Sequence, residues 1–142
     1  MGKYKFINRK FPKEFQKVVD YILTKKGVDV KLGQITSYMG PFNRRIFIHH
    51  NYDLRNNGLI ALLHEVGHVL QPPTNVGVNS YKNIDIDIHP KEYEMGRFLN
   101  EVDAWEKGYE ISEKLNLKIN KNDWNNQKQE ALLTYWPNHS VV

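Results

Sequence analysis

Cysteine is absent from this chain of 142 residues. Disulfide bonds, a cysteine-ligated zinc site and a thiol nucleophile are therefore excluded. No run of apolar residues approaches the roughly 20 that are needed to cross a membrane. The N-terminal segment MGKYKFINRK also lacks the apolar core of a signal peptide. These absences predict a protein without a membrane span and with a cytoplasmic location.

The composition is typical of a folded globular protein, with 40% hydrophobic and 12% aromatic residues. A length of 142 residues suits one core, so we expect residues 1–142 to form a single domain. The net charge is +4, but the basic residues are scattered in small clusters and form no arm or stripe. This pattern favours a solvated surface over a nucleic-acid interface. Nothing in the pattern specifies an oligomeric state.

The segment GLIALLHEVGHVLQPP, residues 58–73, combines an apolar helical face with two histidines and a glutamate. Its leucines and valines recur at spacings of three and four, which predicts a helix that ends at the proline pair. His64 and His68 are four residues apart, so they project from one side of that helix. Two imidazoles at this spacing can bind one zinc ion, and Glu65 can reach a water on that ion. The alternative is an ordinary helix with two partly buried histidines and a solvated glutamate.

Hydrophobic periodicity places this helix in an α+β fold. The predicted elements are, in chain order, an N-terminal helix at 11–27, strands at 28–32, within 34–39 and at 44–52, the histidine helix, a glutamate-bearing helix at 92–115 and a C-terminal helix at 122–136. We expect the strands to form a short, mostly antiparallel sheet. Asn122 or Asp123 is the expected cap of the last helix.

A catalytic zinc site usually has three protein ligands and one open position, so a third ligand is expected downstream. Six acidic residues lie on the glutamate-bearing helix: Glu94, Glu101, Asp103, Glu106, Glu110 and Glu113. Glu101 is the best candidate, because a helical wheel places it beside Phe98 and Trp105 on the core-facing side. Ala104 and Gly108 are nearly aligned with Glu101 and would let this helix approach the histidine helix closely. The alternative role for Glu101 is a salt bridge at the helix margin.

The run HEVGH at residues 64–68, followed by NEVDAW at residues 100–105, resembles the gluzincin branch of zinc metallopeptidases. The Glu-x-Asp-Ala run is also similar to the Glu-x-Glu-Ala element of the ImmA/IrrE-like proteases of phages and bacteria. The chain departs from the gluzincin pattern at Trp105, where many members have an aspartate that supports a zinc histidine. Asp103 or Asn100 could take that supporting role.

The resemblance covers about residues 44–110. It implies a small, single-domain zincin-like fold in which His64, His68 and Glu101 bind Zn²⁺. Glu65 would be the catalytic base that takes a proton from the attacking water. The third-ligand helix starts late for this family, with 32 residues between His68 and Glu101.

These features predict a zinc metallopeptidase that acts on a peptide or protein substrate. Two alternatives stay open: a regulatory protease of phage or bacterial type that cleaves one repressor or partner, and a non-enzymatic basic interaction module with structural zinc. The strand at 44–52 could offer an open edge to an extended peptide. The candidate donors to the reaction's oxyanion are Tyr81, His89, Tyr93, Tyr135 and His139.

Overall fold

The computed structural model describes residues 10–38, 44–72 and 90–136, with the backbone alone for residues 90–93. Within these ranges the chain is α+β, with four helices and a three-stranded mixed sheet. The elements are, in chain order, α1 (Lys13–Lys26), β1 (Asp29–Gly33), β2 (Ser37–Tyr38), β3 (Arg45–His49), α2 (Asn57–Val69), α3 (Pro90–Lys114) and α4 (Lys121–Leu133). None of these helices is both long and apolar enough to cross a membrane.

The sheet has the strand order β1–β3–β2. β1 runs parallel to β3 along its whole length of 5 residues, from the pair Asp29–Arg45 to the pair Gly33–His49. β2 pairs with β3 in the antiparallel direction over its 2 residues. The prediction of a mostly antiparallel sheet is therefore wrong. Alternating side chains reveal which face of a strand is buried, but they carry no information about the direction of its neighbour.

The expectation of an open edge at 44–52 is also wrong. β3 is the central strand and is paired on both sides. Its three middle residues, Ile46, Phe47 and Ile48, are all buried. A continuous buried run of this kind is what a strand covered on both faces requires. The outer strands of the described sheet are β1 and β2.

Helix α1 follows the prediction closely. It begins after Pro12, whose fixed φ suits a helix start, and it ends at Gly27, whose φ of 68° gives the left-handed conformation of a helix stop. The predicted apolar stripe is buried and consists of Phe15, Val18, Val19 and Ile22. This stripe packs α1 against the sheet and against α2.

Helix α2, which carries both histidines, is the most buried helix segment of the described chain. It runs through Val69 and ends before Pro72, as predicted. Every residue from Gly58 to Leu63 is buried. The helix lies between α1 and the sheet on one side and α3 on the other, so it is packed on two opposite sides.

Two glycines allow α2 and α3 to pack at very short range. A Cβ atom at Gly67 would overlap the backbone carbonyl of Ala104, and one at Gly108 would overlap the backbone carbonyl of Leu63. The close approach expected from the small residues of α3 is therefore present. Gly67 makes the matching contribution from α2, where it immediately precedes His68.

The substitution Gly67→Ala is expected to destabilise the protein. Alanine in place of glycine normally stabilises a helix by up to about 1 kcal/mol. Here the added methyl group has no space, so the two helices must separate, at a cost of about 1–3 kcal/mol in the free energy of unfolding. Chemical denaturation of the parent and the variant measures the difference. A variant as stable as the parent would contradict the close packing.

Helix α4 begins earlier than the predicted cap residues. Its cap is Asn120, whose Oδ1 accepts a hydrogen bond from the backbone N–H of Asp123 at 3.0 Å. Neither Asn122 nor Asp123 is the cap, because both lie inside the first turn. Trp124 then packs edge-on against Trp105 of α3, with ring centroids 5.1 Å apart. This contact joins α4 to the helix that carries Glu101.

Candidate metal centre

Three donor side chains meet where α2 packs against α3. The Nε2 atom of His64 lies 3.0 Å from Glu101 Oε1, and the Nε2 atom of His68 lies 3.2 Å from the same oxygen. The ligand atoms of the three residues all lie within 4.8 Å of one another. Glu101 is only 8% exposed. A carboxylate this buried needs a cation or hydrogen-bond donors beside it. This group, hereafter the His-His-Glu group, could hold a metal ion.

The chemistry of the donor set fits zinc. A tetrahedral zinc ion with bonds of about 2.0–2.1 Å holds its ligand atoms about 3.3 Å apart. The separations of 3.0 and 3.2 Å between the imidazole nitrogens and the glutamate oxygen are close to that value. Two imidazole nitrogens and one carboxylate oxygen also form a frequent ligand set of catalytic zinc. Other divalent transition metals accept the same donors.

The structure brings Glu101, and not the other acidic residues of α3, into this group. Neither Glu94 nor Asp103 belongs to it. Asp103 instead accepts a hydrogen bond from Gln71 and lies 3.4 Å from the ammonium group of Lys107. Glu101 is therefore buried on the core-facing side of α3, as the helical wheel predicted.

Glu101 and His68 change each other's pKa. Burial raises the pKa of Glu101, but the hydrogen bonds from the His64 and His68 rings outweigh it, and the pKa falls to about 2. Burial lowers the pKa of His68, but the hydrogen bond and the negative charge of Glu101 outweigh it, so the pKa of His68 is raised. A metal ion that binds here competes with the histidine proton, so binding releases protons and weakens at acidic pH.

Glu65 lies beside the His-His-Glu group without belonging to it. Its Oε2 is 3.6 Å from His64 Nδ1, and its carboxylate accepts a hydrogen bond from the backbone N–H of Tyr38 in β2. Burial raises the pKa of Glu65, and the positive charges of the two histidines only partly oppose this rise. A cation in the group would lower the pKa again, because positive charge favours the ionised carboxylate.

Gln71, which no sequence motif indicated, contacts the ring of His68. Its side-chain Oε1 lies 3.0 Å from His68 Nδ1, the ring nitrogen that faces away from Glu101. Its Nε2 donates to the backbone carbonyl of Asn100 at 2.8 Å and to the carboxylate of Asp103 at 3.1 Å. Asn100 and Asp103, which the sequence offered as direct supports of a histidine, instead accept hydrogen bonds from Gln71, Asn100 through its backbone carbonyl.

Trp105, which follows Glu101 by one helical turn, contacts His64 by stacking. The two ring centroids are 4.3 Å apart and the ring planes differ by 10°. The indole is almost fully buried, and among the described residues its Nε1 has no hydrogen-bond partner. The imidazole of His64 therefore has a flat aromatic surface against one face, while its Nδ1 faces the carboxylate of Glu65.

Tyr135 is the one candidate oxyanion donor whose side chain the structure describes; Tyr81, His89, Tyr93 and His139 lie outside the described side chains. Burial raises the pKa of the Tyr135 phenol, and the negative charges of Glu101 and Glu65 raise it further. Arg97 opposes this shift, with its guanidinium 5.2 Å from the ring centroid and a hydrogen bond to the phenol. Tyr135 is therefore protonated at neutral pH and close to both carboxylates of the site.

Comparison with known proteins adds no relative. A scan against protein-family models matches no family, and searches of curated proteins and of solved structures find no match.

Proposed function

We propose that the protein is a zinc-dependent metallopeptidase, a hydrolase that cleaves peptide bonds in peptide or protein substrates. The observation that carries this proposal is the position of Glu65, a mostly buried carboxylate next to the His-His-Glu group but outside it. Structural zinc sites usually have four protein ligands, and the described residues place three here. A carboxylate beside the ligands but not among them suits a general base.

His64, His68 and Glu101 would hold the zinc ion. When bound, zinc supplies a Lewis acid that acidifies a water and stabilises negative charge on the substrate oxygen. Glu65 accepts the proton of the attacking water as the water oxygen adds to the peptide carbonyl carbon. Glu65 then passes that proton to the leaving nitrogen as the carbon–nitrogen bond breaks, and the carboxylate is regenerated.

Tyr135 is our candidate for the donor that stabilises the developing oxyanion. A phenol that keeps its proton at neutral pH can donate a hydrogen bond to the substrate oxygen, and the raised pKa of Tyr135 satisfies this condition. Arg97, which hydrogen-bonds to the phenol, would orient it.

The substitution Tyr135→Phe is expected to lower kcat by about 10²- to 10³-fold, because it removes one donor to the oxyanion while keeping the ring. Zinc content should not change, since Tyr135 is outside the His-His-Glu group. Tyr109→Phe is the matched control, because that ring packs on Trp124 and is not part of the site. Steady-state kinetics on a cleaved peptide measures both variants. A Tyr135→Phe enzyme with the parent's kcat would exclude this role.

Zinc measurement by elemental analysis, together with digestion of a broad peptide library, tests the proposed function. We expect the purified, zinc-supplemented protein to bind zinc and to cleave library peptides. Protein that binds no zinc after supplementation would refute the proposal. Protein that binds zinc and cleaves no library peptide would favour the alternatives: a protease restricted to one partner, or a module with structural zinc.

A further inference from the structure

We propose that Gln71 is a positioning residue of the metal centre. It fixes His68 in the tautomer with the proton on Nδ1, and it thereby leaves the lone pair of Nε2 for the metal. This inference rests on the metal site of the proposed function, but not on peptide hydrolysis. It assigns to Gln71 the supporting role that a carboxylate often has at zinc histidines.

The orientation of the Gln71 amide follows from its neighbours. The backbone carbonyl of Asn100 can only accept a hydrogen bond, and it lies 2.8 Å from one end of the amide. That end must therefore be the NH₂ group, which also donates to the carboxylate of Asp103 at 3.1 Å. The other end, the carbonyl Oε1, then faces His68 Nδ1 at 3.0 Å.

The tautomer of His68 follows from this orientation. An amide oxygen accepts hydrogen bonds and never donates them, so His68 Nδ1 must carry the proton in this contact. In a neutral imidazole the other nitrogen then has the lone pair. That nitrogen is Nε2, which belongs to the His-His-Glu group and donates here to Glu101 Oε2 at 3.1 Å; a metal ion that displaces this proton leaves the neutral imidazole with its lone pair on Nε2. Gln71 therefore selects the form of His68 that can bind a metal through Nε2.

Gln71 also connects the two helices that carry the ligands. Helix α2 ends at Val69. The backbone N–H of Gln71 then donates to the carbonyl of His68 at 3.2 Å, and this turn brings the Gln71 side chain back toward the imidazole of His68. Both acceptors of the Gln71 amide lie on α3, on either side of Glu101. One side chain thus fixes the orientation of His68 and the position of α2 relative to the third ligand.

A carboxylate at position 71 would serve only half of this role. Glutamate could accept the proton of His68 Nδ1, but it would then face the carbonyl of Asn100 and the carboxylate of Asp103 without a hydrogen to donate. Glutamine is the side chain of this length that accepts on one side and donates on the other.

The test compares zinc affinity in the parent, in Gln71→Leu and in a control variant, by competition with a chromophoric chelator. Leucine has a similar size but neither accepts nor donates. We expect its zinc Kd to rise by about 10- to 100-fold, the usual effect of losing such a supporting partner. The control is Gln129→Leu, which removes an exposed glutamine of α4, and its Kd should equal that of the parent.

Proton NMR of the zinc-loaded proteins supplies a measurement that a purely structural role would not change. The Nδ1 proton of His68 should give a downfield signal that exchanges slowly with water in the parent and in Gln129→Leu. The signal should exchange rapidly or vanish in Gln71→Leu. The parent spectrum tests the proposal even if Gln71→Leu does not fold, because the Nδ1 proton of His68 exchanges slowly only if it is hydrogen-bonded to Gln71, and rapid exchange in the parent would overturn the role of Gln71.

The outcomes separate this inference from the proposed function. A zinc Kd of Gln71→Leu within twofold of the parent value, or a proton on Nε2 of His68 in the zinc-loaded parent, would overturn the role of Gln71 while leaving the metal site in place. A parent protein that binds no zinc would overturn the metal site and this inference with it. A parent that binds zinc but cleaves no library peptide would overturn the proposal of a general peptidase alone.

Discussion

Replacing Glu65 with glutamine is expected to lower kcat/KM for peptide hydrolysis by about 10²- to 10⁴-fold, the contribution of a positioned general base. An amide cannot accept the proton of the attacking water at neutral pH. It can still accept the hydrogen bond from the backbone of Tyr38, and it has nearly the same volume as the carboxylate, so the local structure should persist. Zinc content should be unchanged, because Glu65 is not in the His-His-Glu group.

The matched control for this variant is Glu106→Gln, which changes an exposed glutamate of α3 in the same way. Its kcat/KM should equal that of the parent. Steady-state kinetics and elemental analysis on the same preparations give both measurements. If the Glu65→Gln enzyme hydrolyses peptide as fast as the parent, another group accepts the proton and the proposed role of Glu65 is wrong. If it loses zinc together with activity, Glu65 acts in metal binding.

The helices could be predicted from the sequence because each of them has its own periodicity. The stripe of α1 and the apolar face of α2 are local patterns and are buried as predicted, whereas on the predicted core-facing side of α3 Glu101 and Trp105 are buried and Phe98 is only half-buried. The sheet could not be predicted in the same way. The parallel pairing of β1 with β3 joins residues that are 16 positions apart, from Asp29 to Arg45, and no local pattern encodes that choice.

His64, His68 and Glu101 were found in the sequence because their spacing and wheel positions are those of possible metal ligands. Their supporting residues were not found, because support depends on contacts across the α2–α3 interface. Gln71 lies three residues after His68, which places it near the same side of the chain, and this spacing is a signal that could have been used. The stacking of Trp105 on His64 had no such signal, since a buried tryptophan on a helix usually indicates only a core position.

Replacing Glu101 with alanine is expected to weaken zinc binding by about 10²- to 10³-fold. The binding free energy of a four-ligand zinc site is about 10–16 kcal/mol, which corresponds to about 3 kcal/mol for each ligand. Glu101 supplies the one negative charge of the His-His-Glu group, and it contacts both imidazoles. The remaining pair of histidines would be a neutral site with two ligands. The zinc Kd measured by chelator competition should therefore rise at least as much as in Gln71→Leu, and by up to about tenfold more.

Two further alanine variants make this test specific for the third ligand. Glu94→Ala removes a carboxylate from the same helix outside the His-His-Glu group, and it should leave the zinc Kd unchanged. Asp103→Ala removes one of the two acceptors of Gln71, and the carbonyl of Asn100 still fixes the amide, so the Kd should rise only a few-fold. If Glu94→Ala or Asp103→Ala weakens zinc binding as much as Glu101→Ala does, the third ligand is misassigned. A large increase in the zinc Kd at Glu101 alone is the result that distinguishes a metal ligand from an acidic helix face, because a general effect of negative charge would decline only gradually with the distance of each carboxylate from the metal.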